Sequence, residues 1–277
     1  MKNIILSIFA AVVLCSCEKT VVLDLNQNTS RIIIEGQVTD QSGYQYVKVS
    51  RSSGFYQTGS SPRVEDATVL VSDDQGNEIT FVHNPGGKVD STGYYLPETP
   101  FKGSIGRHYK LSVIVDGQEY NGEDSLMPVT AIDSLGSQIN TEEEDDPKDF
   151  GRFIEVLLYA KEPQQTTDYY LFKFYRNDSL KVYDDTDIYF ADDELLGENI
   201  DGVSSPIYFL PGDKARVEMY SITREAFVFY TDLQNLLNND GGLFSQPPAN
   251  SRTNLSNGAL GYFQASALTM KEIVIKE

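Results

Sequence analysis

The 277-residue chain has no tryptophan, only two histidines and two cysteines, and 22 basic side chains against 41 acidic ones. Each shortage removes a class of chemistry. Both cysteines, Cys15 and Cys17, lie in the stretch "VVLCSCEKT" that closes an N-terminal apolar run. If that run is a leader, the body of the protein has no free thiol for a disulfide, a thiolate metal site or a cysteine nucleophile. His83 and His108 each sit in an alternating, strand-like run, and neither has a His or Cys at the spacing a zinc site needs. No Gly-x-Ser-x-Gly elbow, P-loop or dinucleotide fingerprint occurs. The net charge of −19 repels nucleic acid and anionic headgroups. No second apolar run is long enough to cross a bilayer.

What is present begins with a leader. Lys2 precedes Ile4 to Leu14, eleven residues interrupted only by Ser7, too short for a membrane span and organised like an export signal. Leu14-Cys15-Ser16-Cys17 then places Leu at −3, a small residue at −1 and Cys at +1. This resembles the lipobox of bacterial lipoproteins, which implies that residues 1–16 are removed and that Cys17 carries acyl chains such as palmitate. Cys15 is the poorer acceptor, because Leu14 would then fill the small −1 position. More than one acyl chain makes such an anchor stable. Residues 17–30 follow as a tether.

The tether leads into "RIIIEGQVTD", whose β-branched alternation predicts a strand, with Gly36 marking a bulge or a close backbone approach. Six more strand-like runs follow before residue 126: "YQYVKVSRS", "ATVLVSD", "NEITFVH", "TGYYLP", "RHYKLSVIVD" and "QEYNGE". The segments from Asp73 to Asn77 and Asp116-Gly117 have the composition of hairpin turns. Short strands at this density predict a β-sandwich over residues 31–127.

The order "EGQVTDQSGYQYVKVS", "PRVEDATVLVSDDQGNEITF", "STGYYL" and "GSIGRHYKLSVIVDGQEY" is similar to the prealbumin-like, carboxypeptidase-regulatory-like sandwich, a scaffold without catalytic residues. With the lipobox, "MPVTAIDSL" and the C-terminal "SNGALGYFQAS", the whole chain after Cys17 resembles the DUF4249 family of Bacteroidetes lipoproteins. Arg63-Val64-Glu65-Asp66-Ala67 departs from the small Gly-Ala step usual at that turn, so a different turn is expected there.

The chain is expected to be mainly β, with two β-sandwich modules in tandem, the first Ig/prealbumin-like and the second carrying one packed amphipathic helix. Residues 128–277 are expected to form that second, mostly β module. Near its start, Glu142 to Asp146 are five acids in a row, expected to be a solvated surface loop because like charges repel. A calcium loop would need spaced ligands and a turn-forming Gly. Strands are expected at "FIEVLLYAKE", "DYYLFKFYRN", "SLKVYDD", "KARVEMYSI", "LGYFQAS" and "LTMKEIVIKE". One helix is predicted near 223–238. Ala226, Phe229, Tyr230, Leu233, Leu236 and Leu237 recur at helical spacing until a run of Asn, Asp and Gly stops it. Its other face, with Arg224, Glu225, Asp232 and Gln234, is not that of a membrane-surface helix, so the stripe is expected to cover the second sheet.

Two constellations bear on chemistry. "YDDTDIYFADDELLGENIDG" gathers acids, among them Asp184, Asp185, Asp187, Asp192 and Asp193, which are weak candidates for a loose calcium site. An EF-hand pattern fails there, since Tyr189 and Phe190 stand where an acid and a Gly belong. The plainer expectation is a long polar connection pinned by Tyr189, Phe190, Leu195 and Leu196. Tyrosine is frequent, at 17, with Tyr44, Tyr46, Tyr56, Tyr94 and Tyr95 in the first module and Tyr169, Tyr170, Tyr175, Tyr183 and Tyr189 in the second. Such rings suit ligand or protein contacts and equally suit half-buried sandwich positions.

No catalytic residue, resident metal or cofactor is expected. The family resemblance implies a non-catalytic, lipid-anchored outer-membrane protein, an accessory or ligand-binding partner of a TonB-dependent transporter. Glu18 after the acylated cysteine is a weak version of a surface-export signal, which makes surface display the expectation over a periplasmic orientation. A structural or adhesive envelope protein is the alternative reading, and a carboxylate-based hydrolase the third.

Overall fold

The computed structural model describes residues 30–53, 60–141, 151–161, 163, 166–193, 199–239 and 250–276. Cys15, Cys17, the tether up to residue 29, Tyr56, Glu142 to Asp146, Leu195 and Leu196 lie outside the described residues. The fold is mainly β, with one α-helix among the described elements.

All seven expected strands of the first module are present: β1 (Ile32–Thr39), β2 (Tyr46–Arg51), β3 (Thr68–Asp73), β4 (Glu78–His83), β5 (Tyr94–Pro97), β6 (His108–Val115) and β7 (Gln118–Ser125). Alternation decides which side chains go inside. In β6, Tyr109, Leu111, Val113 and Val115 are buried while Lys110 and Ile114 are exposed. Asp116 and Gly117 join β6 to β7 with φ of 52° and 78°, the double positive φ of a type I′ hairpin. The Arg63 to Ala67 turn is built around one ring. The Tyr95 hydroxyl donates to Val64 O at 3.0 Å and accepts from Ala67 N–H at 2.9 Å.

The second stretch supplies β8 (Ile132–Ile139), β9 (Ile154–Lys161), β10 (Tyr169–Arg176), β11 (Ser179–Lys181), β12 (Tyr189–Asp192), β13 (Asn199–Ser204) and β14 (Lys214–Ile222). Then come α1 (Arg224–Leu237), β15 (Leu260–Ser266) and β16 (Leu268–Val274). The expected long connection around residues 184–193 instead contains β12, which pairs antiparallel with β10. The aromatic and apolar residues Tyr189, Phe190 and Ala191 gain both ladder bonds and burial there. A five-stranded sheet built on β10, β14 and β16 faces a three-stranded sheet, β13-β9-β8. Tyr170, Phe172, Phe174, Val217, Met219, Val156 and Leu158 meet in a shared core.

The segment "LGYFQAS", expected in the second module, is an edge strand of the first sheet. The order is β15-β1-β2-β5-β4-β3-β6-β7, with β15 parallel to β1. Division of the sequence at residue 127 is therefore not a division between sheets. Gly261 makes this pairing possible. Its φ is 95°, and a Cβ there would lie 2.1 Å from Ile34 O. Gly36 answers its own expectation as a close approach without a bulge, because the Phe263 ring occupies the place of a Cβ at 2.8 Å. Phe263, Ala265 and Leu255 complete the core around Ile34, Val47, Leu111 and Val113.

The eight-stranded sheet nearly closes on itself. Across the gap between β7 and β15, Asn254 Nδ2 donates to Glu123 O at 2.8 Å and to Phe263 O at 2.7 Å. The Asp124 carboxylate accepts from Ala265 N–H at 2.9 Å. Side chains thus take the place of ladder bonds and satisfy strand edges that would otherwise be open.

Candidate functional site

Three rungs of neighbouring residues on the outer face of β15, β1 and β2 make a floor. Ile33 stands beside Leu260, Glu35 lies between Tyr262 and Lys48, and Gln37 lies between Gln264 and Tyr46. Strand alternation puts Ile32 and Ile34 into the core and these residues outside it. In most sheets an outer face of this kind meets water. Here α1 lies over it.

The helix begins at Thr223, whose hydroxyl accepts from Ala226 N–H and donates to the Asp124 carboxylate at 2.9 Å. The predicted stripe does bury Ala226 and Phe229, but it does not simply cover the second sheet. Phe229 packs on Tyr262 of β15 with ring centroids 5.0 Å apart, while Phe227, outside the stripe, packs on Tyr169 of β10 at 5.0 Å. The helix bridges both sheets because each offers it aromatic side chains. Leu237, at its end, is exposed.

Helix and floor do not meet everywhere. Between them a cavity of about 380 Å³ is walled by Phe229, Tyr230, Leu233 and Leu236 above and by the three rungs, Lys48 excepted, below. Asn250 and Ser251 form part of its rim. The chain returns to this rim through Arg252, which holds the Asp232 carboxylate of α1 with two side-chain bonds of 2.7 and 2.8 Å. Those bonds keep Asp232 below the usual carboxylate range.

Most polar atoms of the floor are engaged. The Tyr230 hydroxyl donates to Gln264 Oε1 at 2.7 Å, and Gln264 Nε2 donates to Ser266. Gln37 Nε2 donates to Tyr44 O at 2.8 Å, and its Oε1 lies 3.5 Å from Lys173 Nζ. Glu35 receives Lys48 Nζ on one oxygen at 2.6 Å. Burial pushes the Tyr46 and Tyr230 hydroxyls above their usual range, and the nearby Glu35 carboxylate adds to the shift of Tyr46.

Gln37 connects the cavity to a charged cluster between the two sheets. Lys173 and Glu218 are register partners on β10 and β14, as are Tyr175 and Arg216. The fully buried Glu218 accepts from Tyr220 Oη at 2.7 Å and from Tyr44 Oη at 3.2 Å, with Arg216 Nε at 3.2 Å. The Arg216 guanidinium lies over Tyr175 at 4.1 Å, and Lys173 Nζ over Tyr220 at 4.6 Å. Burial lowers the Lys173 ammonium's affinity for its proton, and Glu218 works against that. A third polar group, Asp124, joins β7, β15 and the helix start. Burial raises its carboxyl to about 7 despite three hydrogen bonds received.

Of the residues singled out in the sequence, Gly36, Tyr46 and four of the helix stripe, Phe229, Tyr230, Leu233 and Leu236, line the cavity. The acids of residues 184–193 lie elsewhere. Asp187 accepts from Asp184 N–H at 3.0 Å and from the Tyr189 hydroxyl at 3.3 Å, closing a turn. Asp193 accepts from Asp168 N–H at 3.3 Å, Asp192 stands opposite Tyr169, and Asp185 is exposed. Among the described residues, no three His, Cys, Asp or Glu side chains converge as a metal-ligand group. His83 Nε2 accepts from Gly93 N–H at 2.9 Å, while His108 bonds Ser125 and approaches Glu123. Tyr95 and Tyr170 are core residues. Tyr44, Tyr169, Tyr175 and Tyr189 are held by Glu218, Phe227, Arg216 and Asp187 respectively. Tyr94 packs on Tyr46.

The cavity residues Ile33, Glu35, Gln37, Tyr262 and Gln264 went unmarked in the sequence. Their signal was alternation, which says which side of a strand they occupy but not what covers that side.

The chain belongs to the family described as Domain of unknown function (DUF4249), which it matches over residues 18–272. No curated protein matches it.

Proposed function

We propose that this DUF4249 member is a lipid-anchored, non-catalytic binding protein of the outer membrane that works beside a TonB-dependent transporter. The cavity between α1 and the β15–β1–β2 floor carries the binding part of the reading. It combines an apolar, ring-rich wall with a few placed polar groups, the usual make-up of a small-molecule site. The residues around it offer contacts and hydrogen bonds; neither histidine is among them. The Cys17 pattern supports the anchor, and the tether would lead from the membrane to Arg31 at the start of β1. The transporter partner and surface display rest on the family resemblance and on Glu18. No nucleic acid is a partner in this reading, and no cofactor is needed.

The test is a gentle detergent pull-down of the C-terminally tagged protein from native membranes, with Cys17→Ala as control and mass spectrometry as readout. Recovery of one TonB-dependent transporter in near-equal amount, lost in the control, supports the proposal. If lipidated, folded bait comes down alone, the transporter role falls and a structural or adhesive envelope role takes its place.

A further inference from the structure

We infer that the cavity takes a neutral amphiphile, a compact apolar body with one hydroxyl, amine or amide head held between Glu35 and Tyr46. The inference rests on the binding reading above and adds to it the chemical class of the ligand.

The body of the ligand follows from the wall. Ile33, Leu260, Phe229, Leu233, Leu236 and the Tyr262 ring present a nearly continuous apolar surface. At about 380 Å³ the space lies toward the small end of ligand pockets, which run from about 300 to 1,000 Å³. It suits a molecule of a few rings better than a polymer.

The head follows from two unfinished hydrogen-bonding groups. Glu35 gives one oxygen to Lys48, and its other oxygen makes no hydrogen bond among the described residues. The Tyr46 hydroxyl, on a residue that lines the cavity, makes none either. Both groups are open to water, Glu35 with 46% of its side chain exposed, so an occupant has to replace that water with a donor and an acceptor of its own. Gln37, Gln264 and Tyr230, by contrast, are already bonded to one another or to their neighbours, so they shape the floor without reading the ligand.

Charge selects a neutral head. An anion would meet the free oxygen of Glu35 inside a protein of net charge −19. A cation would have to compete with Lys48, which already neutralises that carboxylate at 2.6 Å. A neutral donor on Glu35 that also bonds the Tyr46 hydroxyl completes both groups without burying new charge.

Two dyes with the same ring skeleton test this. N-phenyl-1-naphthylamine is neutral, with apolar rings and one N–H, and 1-anilinonaphthalene-8-sulfonate adds an anionic sulfonate. Both are titrated by fluorescence against the full chain carrying Cys17→Ala, without detergent. The expected result is one saturable site for the amine, with the sulfonate about tenfold weaker or worse. Leu233→Glu, which puts a carboxylate into a partly exposed part of the wall, should weaken the amine by about tenfold or more in a variant that circular dichroism shows to be folded at the assay temperature. Glu35→Ala and Tyr46→Phe should each weaken it by about three- to tenfold. Equal affinity for the sulfonate, amine binding unaffected by Leu233→Glu, or no saturable site in the folded protein would each overturn the inference. Failure here with the transporter still recovered refutes only the ligand class. Dye binding as expected with the transporter absent refutes only the partner.

Discussion

The hydroxyl of Tyr230 in α1 donates to Oε1 of Gln264 in β15 at 2.7 Å, the one direct side-chain hydrogen bond between helix and floor among the described contacts. Gln264 is buried, so its oxygen depends on this donor. Tyr230→Phe removes the donor and keeps the ring contacts with Phe190 and Phe229. A loss of about 1–2 kcal/mol in urea unfolding is expected, with faster amide exchange in α1.

Gly261→Ala should be far more damaging than its size suggests. The φ of 95° strains any side chain, and the new Cβ would run into Ile34 O. Separation of β15 from β1 should cost about 3 kcal/mol or more and expose the strand to proteolysis. Gly258→Ala is the control, with φ 74° and only the tip of Arg31 near its added Cβ. It should cost about 1–2 kcal/mol.

Glu218 balances two cations between the sheets. Glu218→Ala leaves Lys173 and Arg216 without their shared carboxylate and should destabilise by about 3–5 kcal/mol. Adding Lys173→Met to that variant should restore part of the loss, because it removes the more deeply placed unpaired charge. A double-mutant cycle by thermal unfolding measures the coupling.

Asp124 gives a pH dependence whose sign can be worked out. Its carboxyl sits at about 7 in the folded chain against 3.8 when unconstrained, so the folded state holds the proton more tightly. Its contribution to stability is present in full below the unconstrained value and is lost as pH rises toward 7. The hydroxyl of Thr223 can turn to accept from the protonated acid, so the clasp on α1 survives protonation. Asp73 and Asp232, both lowered, act in the opposite sense at more acidic pH. The difference in unfolding free energy between wild type and Asp124→Asn should therefore shift in favour of wild type as pH falls from 7 to 4. A pH-independent difference would contradict this.

The strands of the first module were legible because their outer faces are polar and their turns carry the right residues. "HYKLSVIV" reads as an alternation, and Asp116-Gly117 reads as a hairpin. The helix was legible from its stripe and from Thr223 to Asn238. The strand β8, "IDSLGSQI", was not, since it has few apolar residues and gains its ladder from β9. Nor was β13, whose "NIDGVS" carries a register shift between Asp201 and Val203.

The binding cavity was illegible for a different reason. Glu35 and Gln37 look like ordinary solvent-facing residues, and the groups that cover and flank them come from α1 and β15, far along the chain. A parallel pair made by the C-terminal end of the chain with β1 depends on Gly261 and on long-range packing, neither of which alternation encodes. The tyrosines are numerous, but their neighbours decide their use. Tyr46 faces the cavity, while Tyr95 sits in the core bonded to Val64.

The most direct measurement of the central claim is to purify the tagged protein and its Leu233→Glu variant from native membranes and identify small molecules released from each by mass spectrometry. The account predicts a neutral amphiphile in near-equal amount with the wild type and its loss from the folded variant. The same molecules in the same amounts from both, or none from either, would contradict it.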